Sequence, residues 1–399
     1  MVVSAVQGVT ELLGGLWRVA AGLDGTRAGS EQDAHRVRIR HRTLLSELGL
    51  DAEFLDRHLR ELTWVLAAIG SRGAPSPADR DHVLSFGERM SARIVAACLR
   101  DSGLAATPVD AYDLGLVSDS NHGRARPLPE NAPGVCRALA GVAGVPVVTG
   151  FVAVDASGKL TTLGRNGSDL SASLIGAAIG AEEVHFWKSV GGVLTADPEL
   201  VPTARPIRSL DYERAAEYAR CGAHVLHPEA LEPLRLLDIP ARVLCFDDPD
   251  DDGTRIGQLS GDAEARGIAC AGGWVELTGC PEALCPDGAL RSGVRLFALW
   301  TEDLGRALVE LADPVQVGRG FARVAVLRAA GDAARGRACL AQSGIEVHAS
   351  SLAGAAIELL VVREEDLGPA ARSLHADLIE SRPLVPTPHG VPQNPTAGA

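Results

Sequence analysis

The residues best suited to chemistry in this sequence lie in one loop, at positions 161–174, which read TTLGRNGSDLSASL. Glycines in a loop that leads into a helix expose backbone N–H groups, and the helix start adds the positive end of its dipole, so such a loop suits an anion. Arg165 carries a planar guanidinium that pairs with a carboxylate or a phosphate. Three roles are open for Asp169: a favourable interaction with the helix dipole, the positioning of a metal, or the orientation of a reacting carboxylate. Alone, the loop is equally well explained as a tight turn capped by Ser168.

The elements that must position this loop alternate in type along residues 2–259. Runs rich in β-branched residues predict strands at Val145–Asp155, Val184–Val190 and Ala241–Phe246. Apolar residues at helical spacing predict helices at His82–Leu99, Asp169–Ala181 and Tyr212–Arg220. This alternation predicts an α/β domain with a largely parallel sheet, closed by the solvated acidic turn DDPDDDGT at 247–254.

The pattern changes after about residue 260 to shorter units. It predicts a strand, a helix, two strands and a helix, at Arg323–Arg328, Ala333–Ser343, Glu346–Ser350, Ala356–Val362 and Leu367–Leu378. This βαββα order is typical of a small α+β module of the split-βαβ type. Residues 268–315 are interpreted as a second, less regular copy. The Pro- and Gly-rich tail, 385–399, is predicted to be disordered.

Composition narrows the class of protein. A formal net charge of −13 argues against nucleic acid or an anionic membrane as the main partner, because both need clustered Lys and Arg. The eight cysteines have no C-x-x-C pair and no zinc spacing, which favours reduced thiols and no metal site. No secretion signal is seen at the N-terminus, and the uncharged run Ala138–Val154 is too short to span a bilayer. The expectation is a cytoplasmic protein.

Six segments, taken in order, resemble motifs of the aspartokinase family. They are VVSAVQGVTELL (2–13), LSFGERMSARI (84–94), GFVAVDASGKLTTLGRNGSDLSA (150–172), FWKSVGGVLTADPELV (186–201), GAHVLHPEALEPL (222–234) and DDGTRIG (251–257). The resemblance implies a three-layer αβα amino-acid-kinase domain over 1–259 that lacks the family's first strand. It also implies an ACT-like regulatory region over 260–384, with two modules of which the first is degenerate.

The resemblance implies an activity and its partners. The family transfers the γ-phosphoryl group of ATP, with Mg²⁺, to the β-carboxylate of L-aspartate. The product, 4-phospho-L-aspartate, feeds lysine, threonine and methionine synthesis. An amino-acid effector, lysine or threonine, at the ACT region and a homodimer formed through that region are implied in the same way.

The same resemblance implies an amino-acid subsite on this chain. Its residues are Ser4, Thr10, Glu88, Phe151, Arg165, Ser168 and Asp169. Glu88 would meet the substrate's α-ammonium, Arg165 would bind a carboxylate, and Asp169 would orient the reacting end, so Arg165 and Asp169 are the predicted catalytic residues. A solvated helix acid at Glu88 and a core residue at Phe151 are the alternatives.

The nucleotide subsite departs from the family pattern. The positions that correspond to it are Lys188, Ser189, Leu194, Asp197 and His224, and Glu199 stands where the family has an arginine. Lys188 and Ser189 replace a Thr-Asp pair, Leu194 replaces a tyrosine, and His224 replaces a lysine. Either Lys188 supplies positive charge at this subsite, with His224 adding to it when protonated, or Lys188 is an exposed strand-end lysine and His224 a histidine with satisfied hydrogen bonds. The spacing of His224 and His227 does not indicate a metal site, because no third ligand accompanies them.

The family's opening motif, K-F-G-G-T-S, has no counterpart in the sequence. One explanation is an internal start codon with the lysine loop upstream, and the other is a diverged paralogue whose ATP site has decayed or been rebuilt. The leading hypothesis is an aspartate kinase. Its alternatives are an amino-acid-binding regulatory subunit and a pathway-specific kinase for an aspartate-like acid.

Overall fold

The structure, a computed structural model, describes residues 1–23, 28–128, 132–223, 226–258, 266–278, 289–292, 295–299, 301, 304, 315–327, 335–353 and 357–381. These residues fall into two compact units. The first comprises the described residues within 1–193, 208–220 and 226–258, and the second comprises residues 194–207, 221–223 and those from 266 onward.

Four helices follow a two-residue strand at the start of the first unit: α1 Val9–Ala20, α2 Ala28–Glu47, α3 Asp56–Arg72 and α4 Pro77–Asp101. Their apolar faces form one core, in which Leu13 of α1, Ile69 of α3 and Phe86 of α4 are almost fully buried. The predicted helix at His82–Leu99 is confirmed but begins earlier. Its start is fixed by a capping box in which the Asp79 N–H donates to Ser76 Oγ and the Ser76 N–H donates to Asp79 Oδ2.

The remaining elements of the first unit alternate strands and helices. The strands are β1 Val2–Val3, β2 Ala106–Val109, β3 Val117–Ser118, β4 Val145–Thr149, β5 Val152–Asp155, β6 Leu160–Thr162, β7 Val184–Lys188, β8 Ser209–Leu210, β9 Ala241–Cys245 and β10 Thr254–Ile256. The helices are α5 Ala132–Ala140, α6 Gly167–Ile179, α7 Tyr212–Arg220 and α8 Pro228–Leu236. Among the described strands, β4 pairs in parallel with β1 and β2, β3 with β5, β7 with β9, and β8 with β10, whereas β6 and β5, and β10 and β9, are antiparallel.

Two adjacent residues of β4 contact helices on opposite faces of the sheet. Val147 packs with Ala92 and Ala96 of α4, and Val148 packs on the opposite face with Leu170 and Ile175 of α6. Because neighbouring side chains of a strand point to opposite faces, the three-stranded sheet β1-β4-β2 lies between two layers of helices. The predicted α/β class with mainly parallel pairing is therefore confirmed.

Three predicted boundaries around the loop need correction. The strand predicted at Val145–Asp155 is two strands, broken at Gly150 and Phe151. Helix α6 begins at Gly167 with Asn166 as its N-cap residue, so Ser168 is not the cap. Strand β7 ends at Lys188, before the predicted Val190. The Gly150 position explains the first error, since a glycine within a strand often marks a bend.

The second unit is built on an antiparallel sheet. Its strands are β11 Gly267–Thr278, β12 Leu290–Ser292, β13 Arg295–Leu299, β14 Gln316–Leu327, β15 Ala349–Ala353 and β16 Ile357–Arg363, in the spatial order β12-β13-β11-β14-β16-β15. Helices α9 Arg335–Gln342 and α10 Leu367–His375 follow β14 and β16, and a π-helical turn, Ala376–Glu380, ends the described chain. The predicted βαββα order is observed, although the strand expected at Glu346–Ser350 begins at Ala349.

Residues 194–207 pack within the second unit. Thr195 Oγ1 lies 3.0 Å from His375 Nε2, and the Arg205 guanidinium donates to the carbonyl oxygen of Ile379 at 3.0 Å. The division into domains at residue 259 stays a prediction. The predicted tail at 385–399 lies outside the described residues. In the part of the chain that is described, no helix is both long and apolar enough to cross a bilayer.

Candidate active site

The predicted amino-acid residues surround a cavity of about 570 Å³ in the first unit, here called the central cavity. All seven of them line it, together with Lys188. Ser4 follows β1, Phe151 follows β4, and Lys188 is the last residue of β7. These are the carboxyl ends of parallel strands, where open α/β sheets bind their ligands.

Two glycines allow β4 and α6 to meet at this cavity. A Cβ at Gly150 would lie 2.7 Å from Ser168 Cβ, and one at Gly167 would lie 2.8 Å from Phe151 Cδ2. Phe151 itself has a φ of 65°, which is strained for a residue with a side chain. Its N–H donates to Ser171 Oγ at 3.0 Å. The close packing holds the start of α6 against the end of β4, so the loop's backbone is fixed at the cavity wall.

An ion pair joins the ends of α6 and β7 within the cavity. Lys188 Nζ lies 2.8 Å from each carboxylate oxygen of Asp169. The side chains are 26% and 14% exposed, respectively. Burial raises the pKa of Asp169, and the positive charge of Lys188, with a further contribution from His227, opposes that shift. Lys188 therefore helps to keep a poorly solvated carboxylate ionised.

Glu88, on α4, is the most deeply buried acid of the cavity, with 3% of its surface exposed. Its Oε1 accepts a hydrogen bond from the Ala5 N–H at 3.1 Å, and its Oε2 has no partner among the described residues. Burial raises the pKa of Glu88 to about 8, against the opposing effect of the Ala5 N–H. Gly87 permits this contact, since a Cβ there would lie 2.7 Å from Ala5 Cβ. The alternative of a solvated helix acid is wrong for Glu88.

The cavity carries two arginines as well as Lys188. Arg165 is exposed on the loop, and none of the described residues forms an ion pair with it. Arg80, on the first turns of α4, also lines the cavity and was missed from the sequence. The signal that points to it is the Ser76 to Asp79 capping box, which places the helix start before Arg80. With Glu88 and Asp169, these side chains make a site for a ligand that carries charges of both signs.

A buried carboxylate that the sequence analysis also missed holds another wall of the cavity. Asp81 is fully buried and accepts hydrogen bonds from the Gly123 N–H at 2.8 Å and from His122 Nδ1 at 3.1 Å. It further accepts from the N–H and the hydroxyl of Thr162, at 3.1 and 2.7 Å. Because Gly123 lines the cavity, Asp81 ties this wall to the strand that precedes the loop.

The predicted nucleotide residues are not brought together in the same way. Lys188 lines the central cavity, whereas Ser189 is exposed and does not. Leu194 and Asp197 belong to the second unit. His224 lies outside the described residues. The structure thus gathers the amino-acid set and leaves the nucleotide set without a common site in the described chain.

A second cavity, of about 990 Å³, adjoins the loop in the first unit. It shares Gly123, Gly164, Arg165 and Asn166 with the central cavity, and most of its other lining residues lie on α7 and along α8. His227, the N-cap residue of α8, lies in this wall. Arg165 therefore borders two spaces. Sequence reasoning missed this cavity, because the motif at 222–234, which contains most of α8, was used only for His224 and His227, and α7 lies in none of the six motifs.

The described residues offer no ready-made metal site. They contain no group of three or more His, Cys, Asp or Glu side chains that could hold an ion. In the central cavity, Asp169 is already paired with Lys188. The protein's own side chains therefore do not fit a resident metal at this position.

Residues 4–245 of the chain match the amino acid kinase family. The chain is 37% identical over 236 residues to aspartokinase 2, chloroplastic, of Arabidopsis thaliana, an alignment that covers 58% of this chain and 43% of the relative. The chain thus spans less than half the length of this relative.

Solved structures match over nearly the whole chain. Aspartokinase III of E. coli in complex with aspartate and ADP matches with a TM-score of 0.77 and 26% identity, over 94% of this chain and 92% of that one. The same enzyme in complex with lysine and aspartate matches with a TM-score of 0.72 and 25% identity, over 95% and 92%. The chain therefore belongs to the amino acid kinase family, and the relatives described here that it resembles in sequence and structure are aspartokinases.

Proposed function

We propose that this protein is an aspartate kinase, which transfers the γ-phosphoryl group of ATP to the β-carboxylate of L-aspartate. One observation carries the proposal. A single cavity at the strand ends combines Arg80, Arg165 and Lys188 with the buried carboxyl of Glu88 and with Asp169. A small ligand with two carboxylates and one ammonium complements this set of charges.

Each charge of aspartate has a counterpart in the cavity. Arg165, free of ion pairs with other described residues, is suited to the bidentate binding of a carboxylate. Glu88 supplies the carboxylate for the α-ammonium, because an adjacent positive charge favours its ionised form. Asp169 and Lys188 lie by the start of α6, where the helix dipole and the backbone N–H groups favour negative charge. The reacting β-carboxylate is proposed to bind at this end.

ATP would enter as its magnesium complex, so that Mg²⁺ is part of the substrate. Magnesium is usually held by one or two carboxylates plus substrate phosphates. Phosphoryl transfer depends mainly on positioning and charge stabilisation. The chain's contribution would be the cations and the backbone donors of the cavity.

Regulation by an amino acid is proposed for the second unit. Its antiparallel sheet and the order β14-α9-β15-β16-α10 support an ACT-like region over 260–384. E. coli aspartokinase III has been solved with lysine, so lysine or threonine is the proposed effector here. Formation of a homodimer through this region is part of the same proposal.

A regulatory subunit that binds aspartate without phosphorylating it is the second candidate. It is favoured by the separation of the predicted nucleotide residues: among those that the structure describes, Lys188 lines the central cavity, Ser189 does not, and Leu194 and Asp197 belong to the second unit. A pathway-specific kinase for another aspartate-like acid would share the site's charges.

Two measurements on the same protein separate these candidates. Hydroxylamine traps acyl phosphates as hydroxamates, and calorimetry measures aspartate binding. A kinase gives aspartyl hydroxamate that depends on MgATP, with D-aspartate and L-glutamate as control acceptors. Binding of aspartate without hydroxamate would favour the regulatory subunit, and turnover only with another acid would favour the third candidate.

A further inference from the structure

The chain contains few lysines, and they lie in different surroundings. Of the 38 lysines and arginines, only Lys159 and Lys188 are lysine. Lys159 is exposed in the turn between β5 and β6, where its backbone N–H bonds Asp155. Lys188 lies in the central cavity. Nearly all the basic residues of the chain are arginine, but Lys188, which pairs with Asp169 in the cavity, is a lysine.

The geometry of Lys188 leaves part of its hydrogen-bonding capacity for a ligand. An ammonium has three N–H donors. Two of them are satisfied by the two oxygens of Asp169, each at 2.8 Å. The side chain remains 26% exposed at the cavity wall. One donor is therefore available to an oxygen atom that enters the cavity beside Asp169.

Lysine and arginine differ in what they can do at such a position. The ammonium is a compact charge, whereas the guanidinium is a planar fork that matches two oxygens of one group. Asp169 is held at the first turn of α6, so its carboxylate fixes where the ammonium lies. This arrangement suits a charge that must stay in place while the group opposite it moves.

We propose that Lys188 is a catalytic cation, oriented by Asp169, that donates to the phosphoryl group as it passes to the acceptor carboxylate. The inference rests on the proposed function. In the step, a bond forms between an oxygen of the β-carboxylate and the γ-phosphorus. The bond from that phosphorus to its bridging oxygen breaks, and the electron pair leaves with ADP. No proton is transferred, and Lys188 stays protonated.

Substitution of Lys188 tests its role against that of a purely structural pair. Lys188→Met is expected to lower kcat by about a hundredfold to a thousandfold, the usual cost of one lost charge contact at such a site. Lys188→Arg keeps a positive charge beside Asp169 but replaces the compact ammonium, so kcat should also fall strongly. The control Lys159→Met removes the other lysine and should leave kcat unchanged. Calorimetric affinity for aspartate should change far less than kcat in each Lys188 variant.

The result that overturns the proposal is equally specific. If Lys188→Arg restores kcat to the wild-type value, or if Lys188→Met retains a third or more of it, Lys188 serves only as the partner of Asp169. Thermal unfolding of each variant shows whether the fold is intact. The double variant K188M/D169N, which removes both charges, separates loss of the pair from loss of the fold.

Chemical protection in the unmodified protein gives an independent readout. An amine-reactive reagent labels Lys159, Lys188 and the N-terminus, which mass spectrometry distinguishes. A non-hydrolysable ATP analogue with Mg²⁺ and aspartate is expected to slow labelling of Lys188 and not of Lys159. Protection without aspartate turnover would contradict the proposed acceptor while supporting Lys188 as the phosphate-facing group. Equal labelling of Lys188 with and without ligands, when calorimetry shows both bound, would overturn the inference.

Discussion

Replacement of Glu88 by glutamine tests the chemistry of the amino-acid subsite. The carboxyl is 3% exposed, and burial raises its pKa from 4.5 to about 8. At neutral pH and without ligand the group is mainly protonated, so Glu88→Gln is close to a neutral replacement of similar shape. The variant should fold. It should differ from the wild type in how its stability and its aspartate affinity depend on pH.

Proton linkage gives the direction in which the stability of the fold changes with pH. Because the folded protein holds this proton more tightly than the unfolded chain, the stabilising contribution is complete below pH 4.5 and is lost as the pH rises through about 8. At about 1.4 kcal/mol per unit, the raised pKa corresponds to roughly 3–5 kcal/mol between the two limits. Glu88→Gln should remove this loss. It should be as stable as the wild type at pH 5 and more stable at pH 9.

Urea denaturation at pH 5, 7 and 9 measures the free energy of unfolding. Calorimetry in two buffers of different ionisation enthalpy measures the protons released when aspartate binds. The wild type should release a proton at pH 7 as the ligand's ammonium ionises Glu88, and the variant should release none and bind roughly 10- to 100-fold more weakly. Glu11→Gln, a change of the same type at an exposed cavity residue, is the control. Equal pH slopes for wild type and Glu88→Gln, with no proton released by either, would refute the reasoning.

Two further predictions concern the walls of the cavity, and a third, in α1, is the matched control for one of them. Gly167→Ala should lower the free energy of unfolding by about 1–3 kcal/mol and weaken aspartate binding, because the new Cβ would lie 2.8 Å from Phe151 Cδ2. Gly14→Ala, the same substitution in α1 where nothing lies within 4 Å, should instead stabilise by about 0.5–1 kcal/mol in the same urea titration. Equal effects of the two would contradict the packing described. Asp81→Asn should cost about 1–3 kcal/mol, because an amide cannot accept all the hydrogen bonds that the carboxylate does, and should speed hydrogen exchange at Gly123, with an unchanged exchange rate as the opposing result.

The sequence identified the amino-acid subsite because its residues lie in short motifs at element ends. The loop at 161–174 showed its chemistry through Arg165 and Asp169, and both line the central cavity. Arg80 was missed because the start of α4 was placed too late, although the Ser76 to Asp79 capping box was present in the sequence. Arg80 could therefore have been predicted from the local sequence.

Other features depend on contacts that local patterns do not contain. The close packing of Phe151 against Gly167 joins residues that are sixteen positions apart in the chain. The packing of 194–207 in the second unit depends on His375 and Ile379, far away in sequence. The partnership of Lys188 with Asp169 required the register of β7 against the start of α6. Sequence periodicity specifies elements, and tertiary packing decides which of their ends meet.

Trapping of the acyl phosphate tests the central claim most directly. The purified protein is incubated with L-aspartate, MgATP and hydroxylamine, and aspartyl hydroxamate is identified by mass spectrometry. We predict hydroxamate that requires all three components, is formed equally by Lys159→Met and falls at least about a hundredfold in Lys188→Met. Absence of hydroxamate from the wild-type protein, under conditions where calorimetry shows aspartate and MgATP to be bound, would contradict the assignment of this cavity to phosphoryl transfer.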